Sequence, residues 1–154
     1  MAETDPPLES MDPNFYGFIG NIASDWALLE YLVNQCIWRA AFLDEQLGAC
    51  ITSQIFSFQS RLEALVLLLR AREVSPKLLG DVNRFVRDAR EMTDARNRAV
   101  HDPIGTENGK HMQLQNTGRG KLMFDMREVT LSDLVTTRNK QTNILNALWL
   151  YPLG

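Results

Sequence analysis

Cysteine and histidine are the scarcest chemistry-bearing residues of this 154-residue chain, with two of each. Cys36 and Cys50 both fall inside apolar helical patterns, so we expect two free buried thiols in a reducing compartment rather than a stapled secreted scaffold. His101 and His111 are the only histidines, no cysteine pair stands at ligand spacing, and no Glu-x-x-His lies in a helix; neither a metal site nor a cofactor is expected. No Gly-rich segment joins a strand to a helix, which leaves out a P-loop and a dinucleotide fingerprint, and serine or cysteine nucleophile signatures are missing as well. The most apolar stretch, Leu62 to Leu69, is far shorter than the roughly 20 residues that span a bilayer. Met1 to Pro13 carries four acidic residues and three prolines around no apolar core. It reads as a disordered lead-in, neither a signal nor a transit peptide. These absences lead us to expect a cytoplasmic protein with no membrane partner.

What is present suits a globular domain: 45% hydrophobic and 23% charged residues, with a net charge of −3. The charge is unevenly spread. Residues 1–60 balance to −7, residues 61–98 to +3 and residues 99–154 to +1. An anion would therefore find its site in the second half, unless these charges are no more than solvated helix faces. The acidic first half weighs against strong RNA affinity, which depends on phosphate neutralisation.

Helical periodicity dominates. Phe18, Ile22, Trp26, Leu29, Val33, Cys36, Ile37 and Ala40 recur at spacings of three and four, predicting a first helix from about Asn14 to Phe42, its start weakened by Gly17 and Gly20. The Leu47-Gly48 region should end it. A second helix is expected over residues 49–72, with Ile51, Ile55, Phe58, Leu62, Leu65 and Leu69 as its stripe. Ser75-Pro76 is a good N-cap and first-turn pair. The third helix should then run to about His101, where Asp102-Pro103 stops it. Its outer side pairs Arg84 with Asp88, Arg87 with Glu91 and Asp94 with Arg98 at a spacing of four. Helices of this length, roughly 35–40 Å, can pack only side by side.

Residues 110–115 and 121–129 alternate apolar and polar around the turn Asn116-Thr117-Gly118-Arg119-Gly120, predicting a β-hairpin over about 110–129. Thr130-Leu131-Ser132-Asp133 then caps a last helix that carries Leu134, Val135, Ile144, Leu145, Leu148 and Trp149. No repeat or low-complexity tract is present. The expected architecture is mainly all-α: an antiparallel bundle of about four long helices with a small β-hairpin inserted before the last. Residues 14–154 form one domain in this reading.

Chemistry concentrates at the end of the third helix. Asn97 and His101 are four apart and share a helix face, so the amide can reach the imidazole. Arg96 lies about 140° away around an ideal helix and must bend toward the same space. The helix dipole favours a protonated imidazole in the last turn, which keeps His101 ready to exchange a proton near neutral pH. A neighbouring guanidinium supplies the fork geometry that a phosphodiester requires. The plain alternative is a cationic cap of the helix end, contributing about 0.3–1 kcal/mol. His111 reads most simply as an exposed hairpin residue.

Arg96, Asn97 and, after three more residues, His101 make this stretch resemble the motif of the HEPN superfamily, helical domains marked by an arginine, a polar residue and a histidine late in a long helix. The Trp26-Ala27-Leu28-Leu29-Glu30 stretch is similar more loosely. The resemblance implies a metal-independent endoribonuclease with Arg96, Asn97 and His101 as its catalytic residues, RNA as its partner and a homodimer that joins two motifs. It also implies a place in a toxin–antitoxin or defence system, with an antitoxin protein as partner. Some members carry a modified tyrosine two residues after the histidine; Pro103 stands there in this chain, against that form of regulation. Members without catalysis also exist, and for them the resemblance implies a dimeric nucleotide-binding or protein-interaction module.

Overall fold

A computed structural model describes residues 12–118 and 122–149, with side chains left out for 116–118, 122–124 and 147–149. The expected lead-in therefore lies, up to residue 11, outside the described residues, as do Arg119-Gly120 of the turn and the side chains of Leu122, Phe124, Leu148 and Trp149. The chain is mostly helical with one three-stranded antiparallel sheet.

Helix α1 spans Pro13–Ala40. Asp12 caps it, its carboxylate accepting from the Asn14 amide at 2.9 Å, and Pro13 occupies the first turn, where its missing N–H costs nothing. The glycines at 17 and 20 do not delay it, because the cap and the burial of Phe15 hold the first turns. The chain leaves the helix through Phe42, whose φ is +56°.

The second helix expected over 49–72 is two helices. Helix α2 spans Glu45–Thr52 and α3 spans Phe58–Ala71, so Leu47 and Gly48 lie within a helix and do not break one. Short polar side chains make the division. Thr52 Oγ1 donates to the Gly48 carbonyl and Ser53 Oγ to the Cys50 carbonyl, competing with helix continuation. Ser57 then caps α3 through the Ser60 amide, and Arg61 Nε takes up the Ile55 carbonyl. Helix α2 seats on Trp38, whose indole N–H donates to Thr52 Oγ1 at 3.1 Å. The stripe is correspondingly broken. Ile51 is exposed and Phe58 half-buried, while Leu62, Leu65 and Leu69 are core. Cys50 is exposed too, contrary to expectation, because it faces away from Trp38 on a helix of only two turns.

Helix α4, Pro76–His101, matches expectation at both ends: Ser75 Oγ accepts from the Leu78 amide, and Asp102 is extended before Pro103. Its ion pairs differ. Arg84 reaches Asp81 at 3.7 Å and Arg87 reaches Asp88 at 3.2 Å, the nearer carboxylates on an exposed surface where such pairs contribute little.

Three strands follow, where a hairpin of two was expected: β1 Ile104–Glu107, β2 Lys110–Gly118 and β3 Leu122–Glu128, in spatial order β1-β2-β3. The β1–β2 turn is Asn108-Gly109, both at positive φ, the dipeptide that a two-residue hairpin prefers. The pleat is the reverse of the hydrophobic reading. Gln113 is 5% exposed, while Met126 on the other face is 54% exposed. Gln113 faces inward, where its Nε2 donates to the Arg98 carbonyl at 2.7 Å, a second donor to an oxygen that already accepts from the Asp102 amide at 3.2 Å.

Helix α5, Leu131–Trp149, begins at a reciprocal cap in which Asp133 Oδ2 accepts from the Thr130 amide and hydroxyl, both at 2.8 Å, and the Asp133 amide donates back to Thr130 Oγ1. It packs on α1 and α4. Gln141, fully buried, ties it to α1 by donating to the Ile22 carbonyl at 2.9 Å. The main core joins α1, α3, α4 and α5 around Trp26, Leu29, Leu65, Phe85 and Ile144. A second cluster of Phe15, Ile22, Ala99, Val129 and Leu134 fastens the sheet to the end of α4 and the starts of α1 and α5. That cluster holds the candidate site in place.

Candidate active site

Helix α4 delivers Arg96, Asn97 and His101 to its last turn, and the second cluster fixes that turn from beneath through Ala99. Asn97 and His101 are exposed and Arg96 is half-buried. The three are brought together by the arginine. Arg96 Nη1 donates to Asn97 Oδ1 at 2.9 Å and lies 3.1 Å from His101 Nε2. The expected direct reach of the Asn97 amide to the imidazole is thus replaced by a guanidinium bridge. A guanidinium can only donate, so Nε2 acts as acceptor in this contact and the imidazole proton sits on Nδ1.

Arg96 bends because α1 gives it a floor. Its Cζ lies 5.5 Å from the Trp26 ring centre, within range of a cation–π contact worth about 0.5–1 kcal/mol at a partly exposed site. Trp26 is held in turn: its indole N–H donates to Glu30 Oε1 at 2.9 Å, its ring meets Phe58 edge-on at 4.8 Å, and Glu30 pairs with Arg61 at 3.8 Å. Arg96 Nε is buried with no hydrogen-bond partner, a cost accepted to hold Nη1 toward the imidazole. The periodicity of the first helix marks Trp26 as core. Its service beneath Arg96 depends on how α1 crosses α4, which no local pattern encodes.

His111 is not part of this group. It lies on the inward face of β2, half-buried, with its ring centroid 4.2 Å from that of Phe15 and its Nδ1 unpartnered. The expectation of an exposed hairpin residue fails because the inward pleat carries it against α1. Among the described residues, no group of three or more His, Cys, Asp and Glu comes together as a metal site, and no helix is long and apolar enough to cross a membrane.

A half-buried guanidinium, an amide and an imidazole at an exposed helix end can bind a phosphate, orient a ring and move a proton. Comparison of the chain with protein-family models, with curated proteins and with solved structures gave no match.

Proposed function

We propose that the protein is an endoribonuclease of the HEPN type, metal-independent and working as a homodimer, with residues 14–154 as one domain whose helices form the antiparallel bundle of that family. The observation that carries this reading is the Arg96 bridge, with Nη1 at 2.9 Å from Asn97 Oδ1 and 3.1 Å from His101 Nε2 at the exposed end of α4. In the proposed reaction the ribose 2′-hydroxyl attacks the adjacent phosphorus. The P–O2′ bond forms, the P–O5′ bond breaks, and the products carry a 2′,3′-cyclic phosphate and a 5′-hydroxyl. One imidazole accepts the 2′ proton, and a second gives a proton to O5′. A single chain offers one histidine at this place, so the second is His101 of the partner subunit. Arg96 leaves Nε2 for the phosphate when RNA enters, which frees the lone pair that a base needs and stabilises the developing charge. A toxin or defence role in the cytoplasm, with an antitoxin as protein partner, fits such an activity.

One observation favours the non-catalytic alternative, a dimeric nucleotide-binding or protein-interaction module: the Nε2 lone pair is already occupied by Arg96. Incubation of the purified protein with RNA in EDTA separates the two. Cleavage that disappears in His101→Ala supports the ribonuclease; intact RNA with the parent overturns it and leaves the module.

A further inference from the structure

Where the end of α4 meets β3 and α5, two arginines lie without a carboxylate within ion-pair distance among the described residues. Arg98 precedes His101 by three residues, so the two are neighbours on one face of α4. Arg127 arrives from β3. Its register partner is Gln113, and Gln113 is the residue that pins the sheet to α4 by donating to the Arg98 carbonyl at 2.7 Å. One side chain thus ties together the backbone positions from which both arginines extend. Between them opens a cleft of ≈ 190 Å³, which α5 lines with Thr136 and Thr137.

The cleft also contains Asp133. Its carboxylate is committed to capping α5 through Thr130, and those hydrogen bonds, with a smaller contribution from the charge of Arg127, hold it below the usual carboxylate range, so it stays ionised at neutral pH. Two guanidinium groups against one carboxylate leave a formal charge of +1, which matches a single phosphodiester. The threonine hydroxyls can donate to phosphate oxygens or pair with a ribose 2′-hydroxyl.

We propose that Arg98 and Arg127 form a subsite for the RNA backbone, holding a phosphate beside the one presented to His101. RNA as the ligand rests on the ribonuclease reading above; the two-arginine cleft does not. Arginine is suited to the task because its planar fork meets phosphate oxygens in pairs. RNA would then run from the Arg96 side of α4 across His101 to the junction of β3 and α5, which gives the three-stranded sheet a part in substrate binding.

The test uses a fluorescein-labelled single-stranded oligonucleotide with 2′-O-methyl riboses, which cannot be cleaved, so binding is read apart from catalysis. Anisotropy titrations at several salt concentrations compare the parent with Arg98→Ala/Arg127→Ala. The expected result is at least a tenfold weaker Kd, with the slope of log K against log salt shallower by about 0.7, the contribution of the one single-strand phosphate that the subsite holds. Arg84→Ala/Arg87→Ala removes the same charge from a more distant part of α4 and should change Kd by no more than about twofold, because screening confines the effect of remote charge. Melting curves establish that each variant is folded. Equal affinity of the Arg98/Arg127 variant and the parent overturns the subsite, as does an equal loss in the distal variant, and a parent that does not bind at all does the same. Parallel assays on unmodified RNA judge the ribonuclease reading separately. Cleavage with no loss of binding in the Arg98/Arg127 variant removes the subsite alone; binding that depends on the two arginines without cleavage removes catalysis alone.

Discussion

Arg96 carries two opposing energies. Its guanidinium gains from the Trp26 ring and from Asn97, yet its Nε is buried without a partner. Arg96→Ala removes both at once, so we expect melting within about 1 kcal/mol of the parent, as for a surface change. Exposed His101 should behave the same way in His101→Ala, and RNA cleavage should fall at least about a hundredfold in both. Asn97→Ala should lie between parent and these variants. A large drop in melting temperature with activity following the folded fraction would instead mark a structural cap. The two thiols also differ. Burial pushes Cys36 up to about 11, although nearby Arg39 pulls the other way, whereas Cys50 is exposed. Native protein should react with one equivalent of a thiol reagent and denatured protein with two. A native count of two would contradict the packing of α1. The raised Cys36 value implies stability that is complete below about pH 9, the ordinary thiol value, and declines as the pH rises toward 11.

At the scale of elements, α2 packs closely on Trp38 through Gly48 and Thr52. A Cβ built on Gly48 would lie 2.4 Å from Trp38 Cγ, so Gly48→Ala should destabilise by about 1–3 kcal/mol through overpacking. Gly17 and Gly20 face open space in α1, and alanine there should stabilise by about 0.5–1 kcal/mol each. Thermal melts that failed to separate Gly48 from the other two would refute the seating of α2 on Trp38. The start of α5 has a pH signature. The Thr130 hydrogen bonds depress the Asp133 carboxyl in the folded chain, so its contribution is present above the unfolded value near pH 4 and is lost as the pH falls through the lower folded value. Asp133→Ala should therefore narrow its stability difference from the parent as the pH drops below about 4, a comparison that denaturant titrations at pH 7 and pH 3 can make. A constant difference would mean that the cap does not depend on charge.

At the scale of the molecule, the proposed chemistry requires two copies. Each chain brings one imidazole to the site, and the proposed reaction uses one as base and another as acid. We expect light scattering to give twice the 17.5 kDa of the chain, with the end of α4 close to the two-fold axis. A stable monomer at working concentration would remove the paired mechanism, whatever the single-site geometry. The uneven charge bears on the same scale. Arg98 and Arg127 line one cleft with no ion-paired carboxylate among the described residues, so the overall charge of −3 does not prevent a local anion site.

Much of this was legible in the chain because it is local. The caps at Ser75-Pro76 and Thr130–Asp133, the stop at Asp102-Pro103 and the stripe through Trp26, Leu62, Leu65 and Phe85 each depend on residues within a few positions, and each appears where periodicity and turn chemistry put it. The spacing of Arg96, Asn97 and His101 was legible for the same reason. The division of α2 from α3 was written in Thr52, Ser53 and Ser57, and β1 in Asn108-Gly109, but those signals compete with a stronger hydrophobic pattern. Three features depended on tertiary structure: which face of the sheet turns inward, what supports Arg96, and which residues line the cleft between α4, β3 and α5. Gln113 is buried and Met126 exposed because the face of the sheet that meets α4 places Gln113 against the Arg98 carbonyl, and Arg96 bends because Trp26 of another helix lies beneath it. Such pairings join residues far apart in sequence, and their energies depend on what packing brings into contact.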